Sequence, residues 1–72
     1  MNDSIEDYMI LNRKKIKELR QQSKLSQFGL SLETELSKSL IEKIEQGRRA
    51  NTSLETAYKL AKYFNVNIEE LI

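Results

Sequence analysis

Helix-start signals recur along this chain too closely to allow any long helix. Asn12, Ser26, Ser37, Thr52 and Asn67 each precede a stretch whose apolar residues lie three or four positions apart. A side-chain oxygen at such a position accepts a hydrogen bond from an amide that the helix leaves free, which favours a start there. The spacing predicts helices over about 13–22, 27–34 and 38–46, a fourth over about 53–64 and a short last one opened by Asn67. Ile16 and Leu19, then Leu30, then Ile41 and Ile44 mark the inward faces of the first three, and Gly47 is placed to end the third. Thr52 to Glu55 reads as a capping box, and Leu54, Ala57, Ala61 and Phe64 form one stripe behind it. With no proline and two glycines, nothing in the chain resembles a linker. The expected fold is all-α: a compact bundle of five short helices over residues 12–72, with residues 1–11 as an N-terminal extension.

That extension is harder to place. Ser4 to Asp7 could open a helix, whereas Tyr8-Met-Ile-Leu11 lacks the polar positions of a solvated one, so it either extends the first helix or folds as an arm. Such an apolar stretch covers an edge of the core or makes a dimer contact.

Seventy-two residues make one domain, whose core hides only about 60% of the surface of the unfolded chain. Without cysteine or histidine the chain lacks disulfides, the usual zinc ligands and the commonest general base, so no cofactor or metal is expected. Its longest apolar run, Tyr8 to Leu11, is far short of the ~20 residues that cross a bilayer, and a cytoplasmic, membrane-free protein is expected. The net charge of +1 hides an asymmetry: residues 13–49 carry ten Lys or Arg against five Glu, a net +5, between flanks of −3 and −1. A basic middle between acidic ends suits a one-sided anionic partner, although a solvated mixed-charge surface would read the same way.

The segment from Leu25 to Gly47 is the most informative. Ile16-Lys-Glu-Leu-Arg20 precedes Leu25-Ser-Gln27, Leu30 follows, then Ser37-Lys-Ser39 and Ile41-Glu-Lys-Ile-Glu-Gln-Gly47, with Ser53 to Val66 and Ile68 to Leu71 as the tail. Taken together these resemble the helix-turn-helix DNA-binding domains of the phage repressor and Cro type, also called XRE-like, over residues 13–72. Three positions depart from the family, which usually has Ala at Ser31, an apolar residue at Thr34 and a turn glycine at Glu35.

The resemblance implies a third helix that enters the major groove of double-stranded DNA with its N-terminal residues on base edges. Lys38, Ser39, Glu42 and Lys43 lie opposite Ile41 and Ile44 and are the base-edge candidates: Lys for guanine O6 or N7, Ser for several bases, Glu42 for cytosine N4. Glu42 has two competing readings, a solvated charge or a repulsive group that excludes wrong sites. Gln27 and Ser37 stand at helix N-termini that favour phosphate, although Ser37 also reads as a plain cap, and Arg48 and Arg49 read as backbone clamps or a minor-groove contact. Phe28, where the family is usually polar, reads as core or partner contact, although its position permits van der Waals touch with a thymine methyl. The resemblance also implies that Arg20 bonds Glu45 and holds the recognition helix.

The function expected is therefore a sequence-specific transcriptional regulator, a repressor or activator acting as a homodimer. The alternative is an antitoxin or adaptor that uses the same fold to offer Tyr8 to Leu11, Phe28, Tyr58 and Tyr63 to a protein partner. Catalysis is disfavoured, because the chain has no glycine-rich phosphate loop, no nucleophile–base set and little volume for a pocket.

Overall fold

The computed structural model describes residues 8–47 and 51–72. Strand β1 (Tyr8–Ile10) leads into helices α1 (Arg13–Gln22), α2 (Gln27–Thr34) and α3 (Lys38–Gln46). Strand β2 (Asn51–Ser53), helix α4 (Leu54–Phe64) and a single 3₁₀ turn (Ile68–Leu71) follow.

Four of the starts are made by side-chain caps. Asn12 Oδ1 accepts from the amide of Lys15 at 3.1 Å, Ser26 Oγ from Gly29 at 2.9 Å, Ser37 Oγ from Leu40 at 3.0 Å and Ser53 Oγ from Thr56 at 3.2 Å. Three of the helices end on a left-handed residue: Glu35 (φ 63°), Gly47 (φ 74°) and Asn65 (φ 59°).

The expectation of an all-α bundle of five helices is corrected in two places. Among the described residues there are four α-helices, and the last expected helix is a 3₁₀ turn. Four residues are too few to sustain an α-helical ladder, so Ile68–Leu71 takes the tighter form found in short pieces. Tyr8–Ile10 neither extends α1 nor forms a helix of its own. It pairs antiparallel with Asn51–Ser53, with Tyr8 opposite Ser53, Met9 opposite Thr52 and Ile10 opposite Asn51. Asn12 supplies the reason, because its extended backbone (φ −79°, ψ 99°) and side-chain cap stop α1 from growing backwards.

The same pairing moves the start of α4. Thr52, expected to open the capping box, is held extended in the ladder and buried, so Ser53 takes over as the cap.

The core is one cluster. Ile16 of α1, Leu30 of α2, Ile41 of α3, Leu60 of α4 and Leu71 of the last turn are its largest fully buried side chains, with Leu11, Leu36, Ile44, Ala57 and Ala61 around them. Burying a Leu or Ile contributes about 1.5–3 kcal/mol, so each of the four α-helices and the last turn is tied to the rest by at least one such residue. The start of α1 and the last turn are also joined directly, since the amide of Asn12 donates to the carbonyl of Leu71 at 2.6 Å. No helix among the described residues is long and apolar enough to cross a membrane.

Candidate nucleic-acid interface

The connection between α2 and α3 sets where α3 points. Glu35 sits at its centre in the left-handed conformation, where a side chain with a Cβ costs about 1–3 kcal/mol. Two hydroxyls hold the turn around it. Ser31 Oγ donates to the carbonyl of Leu36 at 2.6 Å, while Thr34 Oγ1 donates to the carbonyl of Leu30 at 2.8 Å and accepts from the amide of Leu36 at 3.3 Å. The departures at Ser31 and Thr34 therefore sit beside the departure at Glu35 and bond the backbone that it strains.

With the turn fixed, α3 buries Ile41 (1% exposed) and Ile44 (4%) against the core. Its opposite side carries Lys38, Ser39 and Lys43, all exposed, and Glu42, partly so. These four fall at i, i+1, i+4 and i+5, which places them on one face of the helix. Lys38 Nζ lies 3.1 Å from Glu42 Oε2. Ser37 takes up the amide of Leu40 and its carbonyl takes that of Ile41, so the amides of Lys38 and Ser39 have no helix carbonyl behind them.

The far end of α3 is held from below. Glu45 receives Arg20 Nε on Oε2 at 2.7 Å and Arg20 Nη2 on Oε1 at 3.0 Å, with the two side chains 12% and 4% exposed. Arg20 Nη1 also donates to the carbonyl of Leu25 at 2.8 Å, joining α1, the α1–α2 connection and α3 through one guanidinium. Gln27 Nε2 donates to Glu45 Oε1 at 3.1 Å. The side-chain amide of Gln27 is thus turned towards α3, and only its backbone at the start of α2 keeps the geometry of a phosphate donor.

A second anchor was not foreseen. Arg13 Nη1 donates to the carbonyl of Gln46 at 3.1 Å, so the first residue of α1 caps the last turn of α3. A Cβ on Gly47 would stand 2.6 Å from that nitrogen, so Gly47 is required both by its positive φ and by Arg13 beside it. No local signal marks Arg13, because its partner is 33 residues away.

Phe28 is 57% exposed, which takes it out of this chain's own core. Arg48 and Arg49 lie outside the described residues. Among the described residues no group of three or more carboxylates is gathered as a metal would need.

A family described as "Helix-turn-helix domain" matches residues 14–72. The restriction-modification controller protein C.AhdI from Aeromonas hydrophila is similar in structure, with a TM-score of 0.75 and 33% identity over 83% of this chain and 89% of that one. No curated protein matches.

Proposed function

This chain belongs to the helix-turn-helix domain family, and from that premise we propose that it is a regulator that binds double-stranded DNA sequence-specifically through the major groove. The observation that carries the reading is the exposed face of α3. Lys38, Ser39 and Lys43 stand free of the core on a helix whose buried side is locked by Ile41, Ile44 and the Arg20–Glu45 pair. A rod presented in this way can enter the groove at its N-terminal end without rearranging the domain. The amides of Lys38 and Ser39, and the start of α2 at Gln27, are placed to meet phosphate oxygens, and Ser37 serves by capping. Arg48 and Arg49 follow directly on α3 in sequence and would add backbone contacts. The likeness to a controller protein supports a role in regulation. Two copies reading half-sites about one helical turn apart would give the usual symmetric arrangement.

The test is a salt titration of the whole chain on duplexes selected from random DNA. Log affinity falling linearly with log salt counts the phosphates neutralised, and a two-fold symmetric consensus establishes the dimer. Binding that is absent or indifferent to salt overturns the reading.

A second reading, as an adaptor or antitoxin-like module, is favoured by one observation: Phe28 and Leu32 are exposed one turn apart on α2. Phe28→Ser, which adds no charge beside the start of α2, separates the two, since it abolishes a protein contact made there and leaves the salt-dependent slope on duplex DNA unchanged.

A further inference from the structure

The open face of α3 carries more than loose cations. Lys38 Nζ and Glu42 Oε2 stand 3.1 Å apart across one helical turn, with the side chains 53% and 38% exposed. The face therefore presents a donor and an acceptor as one doublet. Every base pair shows a comparable doublet in the major groove, where an amine and a carbonyl are joined by an N–H···O bond of about 2.9 Å. In G·C the carbonyl is guanine O6 and the amine is cytosine N4; in A·T the amine is adenine N6 and the carbonyl is thymine O4. The Lys–Glu doublet can lie over either, ammonium to carbonyl and carboxylate to amine.

The neighbouring groups decide between them. Next to guanine O6 lies N7, a second acceptor for an ammonium with three donors, and next to cytosine N4 lies a C–H that a carboxylate tolerates. Next to thymine O4 lies the C5 methyl, which offers an ammonium nothing, and next to adenine N6 lies N7, which repels a carboxylate. Resting on the DNA-binding reading above, we propose that Lys38 and Glu42 read a single G·C base pair as a unit, Lys38 on guanine and Glu42 on cytosine N4. Orientation follows as well, because a C·G pair turns amine to ammonium and carbonyl to carboxylate. The doublet is neutral overall, so it adds discrimination while attraction to phosphate is left to Lys43, the free amides and the other cations.

The experiment selects bound duplexes from a random library with the full chain and then measures affinity for random duplex. The wild type is expected to fix one G·C pair in its site. In Glu42→Ala the preference at that pair falls about tenfold while affinity for random duplex rises, because a carboxylate facing phosphates is gone. A purely structural role for Glu42 would lower both together. The exchange variant K38E/E42K keeps both the ion pair and the net charge, and is expected to turn the selected pair over to C·G. Either variant keeping the wild-type consensus overturns the proposal, as does a wild type whose fixed positions include no G·C pair. A wild type that shows no salt-dependent binding defeats the DNA-binding reading first, and this inference with it.

Discussion

Helix α3 carries two ion pairs of the same chemistry in opposite surroundings. Arg20–Glu45 is bidentate, closes to 2.7 Å and is almost wholly out of water, whereas Lys38–Glu42 is a single contact of 3.1 Å that stays solvated. Solvent separates what the two can do. A buried carboxylate that loses its partner is left stranded, so the first pair holds the helix in one position. An exposed pair contributes a few tenths of a kcal/mol, so the second is free to exchange its water for base edges. The same helix is thus anchored at one end and open to solvent at the other.

Breaking the buried pair should have the largest effect. Glu45→Ala is expected to lose about 3–5 kcal/mol, much of what a domain of this size has, and to lose duplex binding through loss of the fold. Thermal or urea melts check this, and an unchanged midpoint contradicts the account of the anchor. Next comes Gly47→Ala, expected to cost about 2 kcal/mol from its positive φ and its crowding of Arg13. Adding Arg13→Ala should recover part of that loss, and strictly additive costs in urea would show that Arg13 and Gly47 do not meet. Glu35→Gly should raise stability by about 0.5 kcal/mol, since glycine accepts the left-handed backbone at little cost. A loss instead would show that the Glu35 side chain supports the turn. The smallest effect belongs to the exposed pair: Glu42→Ala should change stability by no more than about 0.5 kcal/mol. A larger loss would place Glu42 with the anchors and contradict its proposed role in base reading.

The sequence made α2 and α3 legible to the residue. Ser26 and Ser37 cap them and the apolar positions 30, 41 and 44 face inward, each within two turns of its cap. Contacts made at a distance were not legible. Asn51-Thr-Ser53 has neither apolar alternation nor β-branched richness, so nothing local predicts that it pairs with Tyr8–Ile10, and that pairing shifts the α4 cap from Thr52 to Ser53. Arg13 reads as one cation among several until the end of α3 folds against it. Ser31 and Thr34 look like departures from the family pattern, and only the turn shows their hydroxyls bonded to its backbone. The candidate site was legible to the extent that it depends on helical period: Lys38, Ser39, Glu42 and Lys43 share a face for that reason. That Gln27 turns to Glu45 depends on how α2 packs on α3, which no spacing records.

The central claim, that the open face of a clamped α3 meets duplex DNA, is tested most directly by reversing both lysines. The double variant K38E/K43E should melt within about 0.5 kcal/mol of the wild type, because both side chains are exposed. Its affinity for the selected duplex in a fluorescence anisotropy titration should fall at least a hundredfold, about 2.7 kcal/mol. Retained affinity in a folded double variant would contradict the claim.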